Sequence, residues 1–205
     1  MKSSVLDCII VGGGAAGLYC AAQLARTAFF SGKKILIIEG GSRVGNKLAL
    51  TGSGRCNLTN TEIDLTKYNT DDQYKLESCI NRYGETDTSY YFENVLGVVL
   101  EQKGTLVYPA TLKSSTVVDA LRFYLEDNKV EIDLKEKVTS VSKSDNLFEV
   151  KTDADKTHLT KNLVTIFVLA DKYSVEAIRA LCPTRPDQHQ WTSHIEDFIR
   201  SILTL

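Results

Sequence analysis

Short apolar runs alternate with amphipathic stretches near the start of the chain, and the alternation predicts strand, helix, strand. Val5–Val11 holds Ile9, Ile10 and Val11 and ends at a glycine cluster, the pattern of a strand buried on both faces. Ala15–Phe29 is Ala-rich, with Leu18, Ala21, Ala22 and Ala25 at helical spacing. Lys34–Glu39 (KILIIE) repeats the apolar-run pattern. Strand, glycine turn, helix and strand in this order make one parallel βαβ unit. Gly40–Asn60 then reads as a long loop with five glycines, and loops of that length in a compact domain usually carry function.

Beyond the loop the pattern predicts helices over Asp71–Arg82 and Thr88–Leu96, and short strands at Val98–Leu100 and Thr105–Tyr108 around Gly104. Ser114 is the expected cap of a helix to about Glu126, whose Val117, Val118, Leu121 and Leu125 share one face. Strands follow at Val130–Ile132, Val138–Val141 and Phe148–Lys151, the last two as a hairpin around Ser144–Asn146, and a further strand at Leu163–Leu169. Tyr173–Leu181 and Thr192–Leu203 read as helices, separated by a break at Pro183–Pro186. The fold class expected is α/β: a three-layer Rossmann-like domain with a parallel sheet, crossover helices and a small antiparallel element.

Composition narrows the function classes. With 43% hydrophobic and 24% charged residues the chain is globular, and a net charge of -2 gives no general affinity for nucleic acid or anionic membrane. No apolar stretch approaches the roughly 20 residues needed to span a bilayer. Cys8, Cys20, Cys56, Cys79 and Cys182 are odd in number and never spaced C-x-x-C, which argues against a disulfide framework, a zinc site and a dithiol pair. Reduced cysteines and the lack of a signal-peptide pattern lead to the expectation of a cytoplasmic protein. All 13 glycines lie at or before Gly104, so any phosphate-handling apparatus is N-terminal.

Gly12-Gly13-Gly14-Ala15-Ala16-Gly17 contains G-x-G-x-x-G between a strand and a helix. Gly12 permits the tight turn, Gly14 lets a diphosphate approach the backbone, and Gly17 lets helix and strand pack closely. The diphosphate then meets the free amides and positive end of the helix. Glu39 closes the second strand at the distance in sequence expected of an acid that binds ribose hydroxyls. Its charge disfavours a 2′-phosphate; Arg43 either softens that repulsion or is a solvated loop residue. A second segment, Gly52–Asn60 with Gly45-Asn46-Lys47 before it, combines flexible backbone, the cations Lys47 and Arg55, and several amides and hydroxyls. Those groups suit phosphates and a polar ring, and equally suit a polar surface loop. Cys56 beside Arg55 is the one cysteine in a polar loop, a setting in which a cation lowers a thiol pKa, though no resolving partner is spaced for it. His189 and His194 are five apart, which does not put two ligands on one helical face, and His158 in a charged strand reads as solvated, so no metal site is expected.

GGGAAGL, the acid that ends the second strand, and GNKLALTGSGRCNLTN at Gly45–Asn60 closely resemble the BaiN/RdsA-type (YhiN-like) NAD(P)/FAD-dependent oxidoreductases. The resemblance continues through Leu96-Gly97-Val98, Gly104–Pro109 (GTLVYP) and Val117–Leu121, and covers roughly Val5 to Val164. It implies that Gly12, Gly14, Ala15, Ala16 and Gly17 hold the FAD diphosphate and that Glu39 binds the adenosine ribose. Lys47, Arg55, Cys56 and Asn57 would lie along the flavin side, and the Val138 backbone against adenine. Asn46 stands where the family has Arg, and Ser53 where it has Gly. After Val164 the similarity stops: Asp171-Lys172-Tyr173 stands where Thr-Gly-Gly is expected. The expected organisation is an FAD-binding domain over 1–164 and a divergent, mostly helical segment over 165–205. The expected function is hydride transfer from NAD(P)H through FAD to a small organic acceptor, with weak FAD affinity for this chain. The alternative is a non-catalytic FAD- or nucleotide-binding module, or an interaction module whose C-terminal helices bind a protein partner.

Overall fold

The computed structural model describes residues 5–165. The helices expected at Tyr173–Leu181 and Thr192–Leu203, the break between them, Cys182, His189, His194 and most of the strand expected at Leu163–Leu169 lie outside the described residues. The described chain divides into two compact units, one of residues 5–61 and 88–165 and one of residues 62–87.

The first unit is built on a six-stranded sheet. Strands β1 (Leu6–Val11) and β2 (Ile35–Glu39) pair in parallel, joined by helix α1 (Ala15–Ala25). Both strands are buried almost throughout, which is why their sequences carry no polar alternation. Helix α1 ends before Phe29 because Thr27 is extended there; its hydroxyl donates to the Leu24 carbonyl and accepts from the Phe30 amide, turning Ala28–Phe30 into a 3-10 turn.

The loop expected at Gly40–Asn60 is more structured than its glycines suggest. Leu48–Gly54 forms a 3-10 segment, and β3 (Thr59–Asn60) pairs with β5 (Leu106–Pro109), which also pairs with β4 (Leu100–Lys103) in a small antiparallel sheet.

Helices α2 (Gln73–Tyr83) and α3 (Glu85–Tyr90) come before β4, and α3 continues into a π turn at Tyr91–Val95. The residues 62–87 that hold α2 are capped by local acids: Asp64 accepts from the Thr66 amide and Asp72 from the Lys75 amide. Leu76 and Cys79 are the buried residues of α2.

Helix α4 (Ser114–Asp127) is the crossover from β2 to β6 (Glu131–Leu134), which pairs in parallel with β2. Ser114 does not cap it as expected: Ser114 is the first helical residue, Lys113 is the cap, and the buried Ser114 hydroxyl donates to the Ala49 carbonyl at 2.6 Å. From β6 the chain makes an antiparallel meander of β7 (Val138–Ser144), β8 (Leu147–Thr152) and β9 (Thr157–Thr165), and β9 returns to pair in parallel with β1. The strand order is β6-β2-β1-β9-β8-β7.

Two layers cover the parallel strands. A Cβ on Gly17 of α1 would lie 3.6 Å from Ile10, so α1 sits on the face to which Ile10 points. Ile9 points the other way by the alternation of a strand. It belongs to a buried cluster with Leu6, Leu36, Ile38 and Val150 of β8, against which Val138 and Val141 of β7 pack. The result is the expected Rossmann-like α/β fold with a small antiparallel element.

Candidate functional site

The C-terminal ends of β1 and β2 meet the start of α1, and the glycines there are held by several bonds. Gly12 adopts φ +103°, a region that favours glycine, and its amide donates to the Ile38 carbonyl at 2.8 Å. A Cβ on Gly17 would fall 1.9 Å from the Gly12 carbonyl oxygen, so no larger residue fits without moving the turn. Gly14 is different: a Cβ there meets nothing within 4 Å. Gly14 and Ala15 are exposed, whereas the Ala16 and Gly17 side-chain positions are buried. Helix α1 has neither a side-chain cap nor an acid in its first turn, so no side chain caps its leading amides or neutralises its positive end.

Glu39 braces this turn. One carboxylate oxygen accepts from the Gly13 amide at 2.7 Å and the other from the Gly41 amide at 2.6 Å. The Gly13 carbonyl accepts from the Gly45 amide at 2.7 Å, so Gly13 is fixed on both sides. A Cβ on Gly13 would press to 2.5 Å from Val44, and one on Gly45 to 2.9 Å from Val118 of α4. Gly13, Gly41 and Gly45 are therefore as much part of the turn as Gly12, Gly14 and Gly17. The G-x-G-x-x-G spacing does not single them out, because their constraint comes from packing across elements.

Val138 reaches the same sheet end through the residues before it. The Glu136 amide donates to the Glu39 carbonyl at 3.1 Å and the Lys135 amide to the Gly41 carbonyl at 2.9 Å, so Lys135–Val138 runs past the end of β2.

Lys47 and Arg55 are exposed on the segment that leaves Gly45. The Arg55 guanidinium lies 5.7 Å from the Tyr108 ring centre. Ser114 on Ala49 anchors this segment to α4, and the Leu58 amide on the Val107 carbonyl anchors it to β5. Asn57, with its amide oriented to satisfy its surroundings, donates to the Thr59 and Val107 carbonyls at 3.0 and 3.1 Å. Asn46 exchanges hydrogen bonds with Arg43, the Arg43 guanidinium donating to the Asn46 side-chain carbonyl and the Asn46 amide donating to the Arg43 carbonyl.

Cys56 corrects an expectation. It is buried, with φ +59° and its amide bonded to the Thr51 carbonyl. Burial pushes its thiol up, opposed only by a hydrogen bond with Thr51, and Arg55 does not make it a thiolate. Cys8 and Cys20 are buried as well, and burial raises Cys20 to about 12. Cys8, Cys20 and Cys56 form no disulfide. His158 also departs from its reading as solvated: it is largely buried beside Glu136, and sequence offers no signal for that contact because the two lie on different elements.

Comparisons with known proteins bear on the same residues. The sequence profile of the HI0933-like protein Rossmann domain matches residues 6–168. The 3-dehydro-bile acid delta(4,6)-reductase of Clostridium scindens is 29% identical over 147 residues, 72% of this chain and 35% of the relative. The ribosomal RNA dihydrouridine synthase of Escherichia coli is 29% identical over 142 residues, 69% of this chain and 34% of the relative; that of Haemophilus influenzae is 39% identical over 79 residues, 38% of this chain and 19% of the relative. The chain thus spans about a third or less of the length of these curated relatives. Among solved structures, 3-ketosteroid-delta4-(5alpha)-dehydrogenase from Rhodococcus jostii superposes with a TM-score of 0.52 at 13% identity, over 80% of this chain and 46% of that one. L-proline dehydrogenase from P. horikoshii superposes with a TM-score of 0.51 at 12% identity, over 87% and 56%. These two share the fold.

Proposed function

The chain belongs to the HI0933-like Rossmann-domain family, and from that premise we propose that it binds FAD and serves a flavin-dependent oxidoreductase. Bound FAD would supply hydride chemistry between NAD(P)H and a small organic acceptor. The named activities of two curated relatives, a bile-acid reductase and a dihydrouridine synthase, support a redox role of this kind.

The chain's own contribution is binding and orientation. The open amides of Gly14, Ala15 and Ala16 at the head of α1 receive the diphosphate, and no acid in that turn repels it. Glu39 spends one lone pair of each oxygen on Gly13 and Gly41, and its remaining lone pairs accept from the adenosine ribose hydroxyls. The backbone of Lys135–Val138 lies beside Glu39 and offers amides and carbonyls to an adenine edge. Lys47 and Arg55 supply positive charge on the segment leading away from the diphosphate, and Cys56 and Asn57 hold that segment rather than react.

The observation that carries this reading is the open approach at Gly14 next to glycines that are packed shut. It is tested by purifying the chain and recording flavin absorbance before and after anaerobic addition of NADH or NADPH. A yellow protein that bleaches is the expected result. Yellow without bleaching favours a cofactor-binding module without turnover, and a colourless chain that FAD does not reconstitute overturns the reading.

A further inference from the structure

A cluster of charged side chains around the buried Glu136 lies beside the end of β2, and of its residues only Glu136 belongs to the stretch whose backbone is assigned to the adenine. Asp133 at the end of β6, Glu136 just after it, and Lys156 and His158 around the start of β9 converge on one point. Glu136 is 6% exposed. One of its carboxylate oxygens accepts from the Lys156 ammonium, which also lies 3.6 Å from Asp133. The other Glu136 oxygen is buried without a hydrogen-bond partner, and so is His158 Nε2, 3.9 Å away. One ligating atom each from Asp133, Glu136 and His158 falls within 4.8 Å of the other two.

That geometry is unfinished as an ion pair. A carboxylate oxygen and an imidazole nitrogen facing each other at 3.9 Å are too far apart for a hydrogen bond and need a proton or a cation between them. Leaving a buried carboxylate oxygen unsatisfied is costly, and such groups in native proteins ordinarily have partners. Two carboxylates and one imidazole suit zinc-class cations better than magnesium or calcium, which take oxygen ligands. Zinc–ligand bonds of about 2.1 Å in a tetrahedron put the ligand atoms roughly 3.4 Å apart, so the separations between the three groups need shrink by at most about 1.4 Å. We infer that Asp133, Glu136 and His158 form a binding site for one zinc-class divalent cation, with the Lys156 ammonium as the cation it displaces.

Lys156 sets how tightly the site binds. Its ammonium donates to Glu136 and lies 3.6 Å from Asp133, so an incoming metal competes with a resident positive charge. Removing that charge strengthens metal binding, whereas in a plain ion-pair network it only leaves Glu136 and Asp133 short of a partner.

The experiment titrates the full chain with Zn²⁺ alone against a chromophoric chelator, for the native protein, His158→Gln and Lys156→Gln, with urea unfolding to establish that each variant is folded. One saturable site is expected, weakened at least about 10-fold by His158→Gln, since even outer partners of a metal act on that scale. Lys156→Gln is expected to tighten it by about 10-fold, and Mg²⁺ is expected not to compete. Equal Zn²⁺ affinity in the native chain and His158→Gln overturns the inference, because the metal then sits on other groups. If His158→Gln does not fold, Lys156→Gln decides: unchanged or weaker binding overturns the site.

Discussion

At the residue scale, two glycines three positions apart do opposite things, and substitution separates them. A methyl on Gly17 would collide with the Gly12 carbonyl at 1.9 Å, and that oxygen is backbone with nowhere to go. Gly17→Ala is expected to lower the stability of the fold by about 2–3 kcal/mol, the scale of an overpacked core, read from the urea midpoint. Gly14 faces open space at an extended φ of -76°, so Gly14→Val fits the folded chain and costs about 1 kcal/mol or less as a poorer helix cap. It nevertheless puts a branched side chain at the proposed approach of the diphosphate. FAD affinity measured by flavin fluorescence should fall at least about 10-fold, or about 1.4 kcal/mol, while the urea midpoint barely moves. Unchanged affinity in folded Gly14→Val would place the ligand elsewhere.

At the scale of elements, what could be read from the sequence was what is local. β1, α1 and β2 follow from apolar runs and glycine spacing because each is decided by its own residues. The first half of β9 gave no such signal. Thr157–Asn162 contains one apolar residue, and Thr160 is fully buried not by hydrophobicity but by donating to backbone carbonyls. Ser114 misled for a related reason, since a serine beginning a helix reads as a cap until the Ala49 carbonyl, far away in sequence, takes its hydroxyl. The same limit hid Gly13, Gly41 and Gly45 at the site, and Cys56, whose burial depends on how its loop folds back. Strand pairing also sets a pH dependence. Asp7 of β1 accepts from Lys161 of β9 and from the Lys34 amide at the entry to β2. The Lys161 hydrogen bond, then the amide, hold its carboxyl below the ordinary value of 3.8. A depressed carboxylate contributes stability that is fully present above the unfolded pKa and lost as pH falls through the folded one. Asp7→Asn should therefore be less stable than the native chain at pH 7, with the gap closing below about pH 3.9. A gap that persists unchanged at pH 2.5 would remove the ion pair as its cause.

At the scale of the whole molecule, the net charge of -2 and the mostly exposed ion pairs leave little general electrostatic attraction for an anionic ligand. Exposed pairs of this kind contribute about 0–1 kcal/mol each and are screened by salt. Recognition of a dinucleotide then rests on local groups, chiefly the amides of one turn, one carboxylate and the backbone beside it, and binding is expected to show as stabilisation of the folded chain. A ligand at 100 times its Kd adds about 2.7 kcal/mol, and a chain of this size gains about 2–4 °C per kcal/mol, so FAD should raise the melting temperature by about 5–11 °C. The contacts assigned here are to the adenosine and diphosphate half. ADP should therefore stabilise the chain, riboflavin alone should not, and Gly14→Val should abolish the response to ADP. With Glu39 proposed at the ribose, 2′-phospho-ADP-ribose is expected to stabilise less than ADP-ribose at equal concentration. Thermal shift on the one preparation compares all five ligands. If riboflavin raises the melting temperature and ADP does not, the glycine turn is not where the cofactor is gripped, whatever the colour of the protein.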